Sequence, residues 1–266
     1  MKLLVLGKGF LGKEYERWGH TVLDKTQFHY NPSINQISGR NFWNLINNYD
    51  AIVNCIGKSN TRWNETNFNE AIDVNAKLVK HLSDLCQKYN KRFVHISTGC
   101  LYDNYLKENT ESSFMAAHCN YTVTKWIGEK QCHNDDLILR PRLLFSDVLD
   151  KNNLLCKLPK FKHYVYDQKD SLTRTSTIIE ATTALLEAKQ AGIFNVAEDD
   201  AASIAEIAEW CQIKTDNQIT IEQLRKEQSI YLVNNVMDLT KLKQFYKPKK
   251  LKDQIIYCYN KLYETS

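Results

Sequence analysis

The amino-acid sequence predicts an α/β protein in which a doubly wound parallel sheet is followed by a smaller C-terminal lobe. Over residues 1–145, short apolar runs alternate with segments of helical periodicity, as in chains built from βαβ units. The first apolar run, Lys2–Leu6, leads directly into the glycine-rich sequence GKGFLG. Beyond residue 145 the alternation becomes irregular. We therefore expect one domain over 1–145 and a lobe over 146–266, of which about 172–200 returns to the first domain.

The individual elements follow from local patterns. Short uninterrupted apolar runs are typical of buried parallel strands, and five precede residue 145: Lys2–Leu6, Thr21–Leu23, Ala51–Ile56, Arg92–Ser97 and Leu137–Leu139. Apolar residues at helical spacing predict helices from about Gly9, over Ile72–Asn90 and over Tyr121–Lys130. In the second half we expect irregular structure over Leu154–Tyr166, a strand at Gly192–Val196, and helices over Thr177–Lys189 and Ile204–Cys211.

Composition and charge exclude several classes of protein. The net charge of +4 is spread along the 266 residues, and the densest basic run, Lys247–Lys250, is typical of a solvated surface. We therefore expect no nucleic-acid partner. No apolar stretch approaches the ~20 residues of a membrane span, and the apolar start is too short for a signal peptide. Eight cysteines without a CxxC pair or metal-ligand spacing predict a cytoplasmic protein with free thiols and no metal.

The glycine-rich sequence is the first functional signal. Gly7, Gly9 and Gly12 fit the pattern G-x-G-x-x-G, which gains specificity here because it lies between a predicted strand and a predicted helix. In such loops the first glycine makes the tight turn, the second lets the backbone approach a pyrophosphate, and the third lets the helix pack closely. We therefore expect the loop, including Phe10 and Leu11, to bind a dinucleotide at the helix N-terminus.

Further cofactor contacts are expected at the ends of the next strands. Asp24 ends the second strand, seventeen residues after Gly7, where a carboxylate can accept hydrogen bonds from an adenosine ribose. The neighbouring Lys25 would attract a 2′-phosphate instead, so NADPH or NADH remains open. Asn54 and Gly57 lie at the end of the apolar run Ala51–Ile56, where they would either meet the cofactor or form an ordinary turn.

A second constellation carries chemistry. Tyr121 and Lys125 form Y-x-x-x-K, which places both side chains on one helix face. A nearby ammonium stabilises a phenolate, which makes the tyrosine a practical proton donor at neutral pH. Twenty-three residues before Tyr121, Thr98 ends a predicted strand and offers a hydroxyl to the same carbonyl oxygen. Together with the glycine motif, the three residues predict carbonyl reduction by a nicotinamide cofactor.

At this point the sequence resembles a known family. The segments GKGFLG, IVNCIG, DVNA, STGCLYD, NYTVTKWIGE and GIFNVA occur in the order seen in extended short-chain dehydrogenases. Within them the chain is most similar to the 4-dehydrorhamnose reductases, above all to the branch that acts on UDP-4-keto-6-deoxyglucose as a combined 3,5-epimerase and 4-reductase. The resemblance implies that Thr98, Tyr121 and Lys125 are the reductase triad, and that Asn75 helps to hold the cofactor. It further implies a nucleotide-sugar substrate held by the C-terminal lobe.

Two further residues distinguish the branches. The dTDP-linked reductases usually carry an acidic residue after the Ser-Thr pair, where this chain has Gly99 and Cys100. The epimerising branch and the related GDP-fucose synthases have a cysteine at the position of Cys100, and the resemblance assigns the partner acid/base role to Lys157. Each has a simpler interpretation, a packing thiol and a surface lysine.

Several alternatives remain open from the sequence. A plain dTDP-4-dehydrorhamnose reductase, a GDP-fucose synthase-like enzyme, and a non-catalytic cofactor-sensing relative would share most of these motifs; a 4-epimerase or 4,6-dehydratase is disfavoured by Gly99-Cys100. Arg140 and Arg142 are expected either to meet a diphosphate or to form ion pairs. His95 is expected to be structural and Trp126 to lie in the core. The oligomeric state is open, with a homodimer among the alternatives.

Overall fold

The structure is a computed structural model that describes residues 1–39, 42, 45–102, 108–116, 118–228 and 235–263. Asp103, the last residue of the STGCLYD segment, lies outside the described residues. The chain divides into two compact units. The first contains Met1–Leu101, Ala116–Arg140 and Thr182–Phe194, and the second contains Tyr102–Met115, Pro141–Ala181 and Asn195–Ser266.

The central element is a six-stranded sheet. Across the sheet the strands lie in the order Thr21–Leu23, Leu3–Leu6, Ala51–Asn54, Arg92–Ile96, Leu137–Pro141 and Gly192–Val196. The four pairings among the first five of these strands are parallel. The chain thus adds its second strand on one side of Leu3–Leu6 and the later strands on the other, which confirms the doubly wound parallel sheet.

The reversal of direction decides where a ligand can bind. The strands Leu3–Leu6 and Ala51–Asn54 are adjacent, and Leu6 is the register partner of Asn54. The next strand of the sheet after Leu3–Leu6 lies towards one edge, and the next strand after Ala51–Asn54 lies towards the other. In open α/β sheets the crevice beyond the carboxyl ends of two such strands is the usual ligand position. The residues that follow these two strands are the glycine loop and the segment that begins at Cys55.

The helices of the first unit are Phe10–Arg17, Thr61–Thr66, Phe68–Ile72, Leu78–Lys88 and Asn120–Lys130. Phe10–Arg17 and Leu78–Lys88 pack on strands of this sheet with a face of buried residues. The predicted Ile72–Asn90 helix is present with a difference, since its first turn, Asp73–Lys77, is a π-helix and it ends at Lys88. A hairpin of His29–Asn31 and Gln36–Ser38, which the sequence did not predict, precedes the third strand of the sheet. No helix among the described residues is long and apolar enough to cross a membrane.

The second unit has its own apolar core, which includes Phe145, Leu155, Ile207 and Ile255. Its helices are Leu154–Lys157, Ile204–Trp210, Ile221–Gln228 and Leu251–Tyr263, and its strands are Leu144–Phe145, Tyr164–Val165, Thr173–Arg174 and Gln218–Ile219. The helix Thr175–Glu187 includes residues of both units.

The prediction of irregular structure over Leu154–Tyr166 was wrong. Asn153 starts a helical turn there, because its side chain accepts a hydrogen bond from Leu155 N. A 3₁₀ turn over Leu158–Lys160 and the strand Tyr164–Val165 follow. Each of these elements is too short to produce a clear periodicity in the sequence, so pattern alone could not find them.

Candidate active site

The glycine loop has the conformation that its three glycines require. Gly7 has φ of +101°, a region that side chains rarely adopt, and its N–H donates to Leu23 O at 2.9 Å. Gly12 packs against the start of the same loop, since a Cβ on Gly12 would lie 1.9 Å from Gly7 O. The loop is therefore closed by contacts between its first and last glycines.

Gly9 differs from Gly7 and Gly12 because a side chain there would meet open space. Among the residues that the structure describes, no heavy atom lies within 4 Å of a Cβ placed on Gly9. Gly9 is the N-cap of the helix Phe10–Arg17, Phe10 is half-buried, and the Leu11 side chain is buried in the core. The backbone at Gly9 is therefore accessible at the helix N-terminus, as a pyrophosphate site requires. The exposed side chain of Lys8 in this loop pairs with Glu16 at 2.7 Å.

Asp24 follows the neighbouring strand and is ready to accept hydrogen bonds as a carboxylate. Its Oδ1 accepts from Thr26 N at 2.8 Å and from Thr26 Oγ1 at 2.6 Å. These bonds, together with one from Gln27 N, lower the pKa of the half-buried Asp24 carboxyl. All hydrogen bonds described for this carboxylate are to Oδ1.

Gly57 lies close to two of the residues that the sequence analysis singles out, Asn75 and Lys125. A Cβ on Gly57 would lie 3.5 Å from Asn75 Oδ1 and 3.9 Å from Lys125 Nζ. Residues 57, 75 and 125, which are far apart in sequence, are thus neighbours within the first unit. Asn54, the last residue of the strand Ala51–Asn54 that precedes Gly57, is fully buried in the protein interior.

Asn75 acts on the protein backbone. Its Oδ1 accepts from Lys58 N at 2.8 Å, and its Nδ2 donates to Lys58 O at 3.2 Å and to Thr124 Oγ1 at 3.0 Å. Asn75 is fully buried, so it shapes the segment after Gly57 and ties it to the Asn120–Lys130 helix. Any role of Asn75 towards a cofactor therefore passes through that segment.

Thr98 and Cys100 lie in the turn after the strand Arg92–Ile96. Thr98 is buried, and its Oγ1 accepts a hydrogen bond from Cys100 N at 3.1 Å. Because this bond uses a lone pair, the Thr98 hydroxyl proton can be donated elsewhere. Cys100 is half-buried.

Tyr121 and Lys125 share the helix Asn120–Lys130 as the spacing predicts. Tyr121 is half-buried, whereas only 4% of Lys125 is exposed. Lys125 Nζ donates to Ile96 O at 2.7 Å. Ile96 is two residues before Thr98, so the lysine head group lies beside the end of the strand that leads to Thr98. Burial lowers the pKa of Lys125 to about 8, although the Glu129 carboxylate opposes the shift.

The remaining expectations have mixed outcomes. Arg140 pairs with Glu129 (Nε to Oε1, 2.9 Å) and Arg142 pairs with Asp170 (Nε to Oδ1, 2.7 Å), both buried, so the diphosphate interpretation of these arginines was wrong. Trp126 was expected in the core and is 39% exposed. Lys157 belongs to the second unit, where it is the exposed last residue of the Leu154–Lys157 helix.

Two contributors were missed by sequence reasoning. Thr124 lies inside the Y-x-x-x-K motif and holds Asn75, as described above. Gly128 lets the helix approach the π-turn, because a Cβ on Gly128 would lie 2.0 Å from Asn75 O. A glycine inside a predicted helix was a usable signal of close packing.

Comparisons with known proteins bear on the fold of the chain. The model of the NAD dependent epimerase/dehydratase family matches residues 33–136. The chain is 22% identical over 224 residues to the uncharacterized protein L780 of Acanthamoeba polyphaga mimivirus, an alignment that covers 74% of this chain and 76% of that protein.

Solved structures match over nearly the whole chain. The crystal structure of the L780 UDP-rhamnose synthase from that virus is similar with a TM-score of 0.82 and 22% identity, covering 98% of this chain and 99% of that one. A dTDP-4-dehydrorhamnose reductase from Clostridium acetobutylicum matches with a TM-score of 0.80, 19% identity, and coverage of 98% and 99%. A dTDP-4-dehydrorhamnose reductase from Bacillus anthracis in complex with NADP matches with a TM-score of 0.81 and 17% identity, covering 97% of this chain and 99% of that one. The chain therefore has the α/β fold of these nucleotide-sugar enzymes.

Proposed function

We propose that this protein is an NAD(P)H-dependent reductase of the C4 ketone of a nucleotide-linked 4-keto-6-deoxy sugar. The observation that carries the proposal is the bond from Lys125 Nζ to Ile96 O. It joins the Tyr121 helix to the strand Arg92–Ile96, which Thr98 follows, within the unit whose glycine loop is open at Gly9. Similarity to a UDP-rhamnose synthase and to dTDP-4-dehydrorhamnose reductases supports the substrate class.

The cofactor's position follows from the residues that fit it. We assign the pyrophosphate to the backbone of Gly7–Gly12, with Gly9 and the helix N-terminus facing it, and the adenosine ribose to Asp24. When bound, a reduced nicotinamide supplies the hydride. Asn54 and Gly57 border the same edge of the sheet, Asn54 as part of the buried support beneath it.

The polar side chains then perform the proton transfer. Thr98 donates its hydroxyl proton in a hydrogen bond to the ketone oxygen. The bond from Cys100 N does not compete with this, because Thr98 Oγ1 accepts that bond with a lone pair. Tyr121 gives its phenolic proton to that oxygen as the negative charge develops. The Lys125 ammonium stabilises the resulting phenolate.

We further propose that the same protein epimerises C3 and C5, which are both α to the C4 ketone and therefore carry acidified protons. Inversion at a carbon needs a base on one ring face and an acid on the other. Cys100 follows Thr98 by two residues and is half-buried, so its thiol can exchange protons near the ketone. The resemblance to the epimerising branch assigns the partner role to Lys157.

The reaction is tested directly with purified protein. UDP- and dTDP-4-keto-6-deoxyglucose are each supplied with NADPH or NADH, and products are resolved by NMR. Formation of a nucleotide-linked 6-deoxyhexose with oxidation of the cofactor is expected; no reduction of either sugar by either cofactor would refute the proposal.

Epimerisation is tested separately, without reduced cofactor, by deuterium incorporation from heavy water. Wild type is expected to exchange at C3 and C5. Cys100→Ser is expected to lose exchange while still reducing an already epimerised 4-keto-rhamnose. Cys156→Ser is the matched control, because Cys156 is also half-buried but lies in the second unit. A wild type that reduces this sugar but exchanges neither proton is a plain 4-reductase.

A further inference from the structure

A buried chain of polar side chains lies behind Lys125 and is not explained by the reaction. Asn54 and His95 are fully buried on adjacent parallel strands, where they are register partners. Asn54 Nδ2 lies 3.4 Å from His95 Nδ1, and His95 Nε2 lies 3.4 Å from Lys125 Nζ. The imidazole therefore bridges an amide and the lysine.

The orientation of the Asn54 amide is set by the backbone. Its Oδ1 accepts a hydrogen bond from Ile56 N at 3.1 Å, and only an oxygen can do so. The group that faces His95 Nδ1 is then the NH₂ group, which is purely a donor. His95 Nδ1 must therefore accept, and the proton of the neutral imidazole must lie on Nε2.

This tautomer has a consequence for the lysine. Nε2–H points at Lys125 Nζ, and an ammonium group, which has only donors, cannot accept that hydrogen bond. A neutral amine can accept it with its lone pair and still donate to Ile96 O. The hydrogen bonds of Asn54, His95 and Lys125 are thus all satisfied only when Lys125 is neutral.

We propose that His95, fixed in one tautomer by Asn54, is a positioning residue that favours the neutral amine of Lys125. The proposal rests on the proposed function, in which Lys125 serves Tyr121. Favouring the neutral amine makes the Lys125 ammonium a stronger acid. After reduction the ammonium can therefore pass a proton to the Tyr121 phenolate, become the neutral amine and be reprotonated from solvent, whereas a lysine with an ordinary pKa stays charged and only stabilises the phenolate. His95 acts through Lys125 and has no contact with substrate assigned to it.

Other groups that face Lys125 do not produce this bias. Glu129, on the same helix, raises the pKa of Lys125, and its charge is shared with Arg140. Cys55 and Cys132 are thiols whose own pKa values burial raises, so they stay neutral. The pKa of His95 lies well below its ordinary value because of burial and the nearby lysine, so the imidazole is neutral as well. Burial by itself lowers the pKa of Lys125 to about 8, so the proposed effect of His95 would add to a shift in the same direction.

The test measures the protonation of Lys125 in the cofactor-free protein, so it needs no substrate. Trace acetylation is carried out between pH 6 and 11, and the Lys125 peptide is quantified by mass spectrometry. Lys130, exposed on the same helix, is the internal reference. Asn54→Asp provides an acceptor for His95 Nδ1–H, which turns a lone pair of Nε2 towards Lys125. The pH of half-labelling is expected to rise by at least ~1 unit.

A double-mutant comparison separates this effect from the added charge. In His95→Gln the amide oxygen can face the Lys125 ammonium, so the pH of half-labelling is again expected to rise. Adding Asn54→Asp to this variant should then shift that pH less than half as far as Asn54→Asp does in wild type. An unchanged midpoint in folded His95→Gln would overturn the proposal, as would an equal effect of Asn54→Asp with and without His95. If Asn54→Asp does not fold, His95→Gln decides alone. Labelling shifts in a protein that reduces no sugar would refute the proposed function and leave this inference standing.

Discussion

Gly9 and Gly12 belong to one motif, but the structure predicts opposite consequences of substituting them. At Gly9 a new Cβ would have no atom of the described part of the chain within 4 Å, and the extended backbone, with φ of −81° and ψ of −161°, admits a side chain. At Gly12 a new Cβ would lie 1.9 Å from Gly7 O, a backbone atom that cannot move without opening the loop. Gly9→Val should therefore spare the fold and Gly12→Ala should not.

The magnitudes follow from the groups affected. Valine is a poorer N-cap than glycine, which costs about 1 kcal/mol of stability. A valine side chain on the open face holds the phosphates away from the backbone, and loss of two charge-assisted hydrogen bonds at ~1.5–3 kcal/mol each weakens cofactor binding by roughly 10²- to 10⁴-fold. Overpacking at Gly12 costs on the order of 1–3 kcal/mol or more in folding.

Calorimetric titration with NADPH and with NADH, alongside thermal unfolding, measures both effects. Gly9→Val should melt within a few degrees of wild type and bind neither cofactor measurably, and Gly9→Ala should fall between. Gly12→Ala should lower the melting temperature clearly. A folded Gly9→Val variant with wild-type cofactor affinity would refute the assignment of the pyrophosphate to this loop.

Two further predictions concern the Asn120–Lys130 helix. Tyr121→Phe keeps the ring and removes the proton, so reductase turnover should fall by at least ~10²-fold with cofactor affinity retained; near-normal turnover would mean that another group is the acid. Lys125→Met should lose reduction and weaken cofactor binding. Its free energy of unfolding in urea at pH 7 should nevertheless exceed that of wild type by up to about 3 kcal/mol, because burial lowers the pKa of Lys125 from 10.5 to about 8 and methionine carries no charge. The cost of the buried ammonium is fully present below pH 8 and fades as pH rises towards 10.5, so a gain that did not shrink over this interval would contradict the assignment.

Local signals explain what could be predicted from the sequence. The glycine loop, the strands on either side of it and the Tyr121–Lys125 spacing are each encoded within about ten residues, where periodicity and glycine positions are informative. The hairpin at His29–Ser38 and the turns after Asn153 were missed because their elements contain only two to four residues.

Pairings across the sheet could not be predicted in the same way. Asn54 and His95 are 41 residues apart and meet because their strands are in register. The sequence alone predicts a structural role for His95, because a lone histidine in a strand gives no indication of its partners. Arg140 offered two interpretations, and only the position of Glu129 across the helix–sheet contact decides between them. Trp126 was placed in the core because a helix of mixed polarity does not indicate which face is covered.

The proposed chemistry depends on how firmly the Asn120–Lys130 helix is held, and its anchors are distributed along its length. At the start, Asn120 N donates to Glu65 Oε1 at 2.8 Å. In the middle, Thr124 Oγ1 accepts from Asn75 Nδ2, between Tyr121 and Lys125. At the end, the buried Glu129–Arg140 pair ties the last turn to the sheet.

Because an anchor lies on each side of Lys125, rotation of the helix about its axis would break contacts in more than one turn. Breaking a buried ion pair such as Glu129–Arg140 alone costs ~3–5 kcal/mol. Catalytic groups need to be held within roughly 0.5 Å of the productive geometry, and a helix fixed at three points supplies this for Tyr121 and Lys125 together. The lysine can then be buried at a cost to stability, since the surrounding contacts prevent it from escaping to solvent by a small movement of the helix.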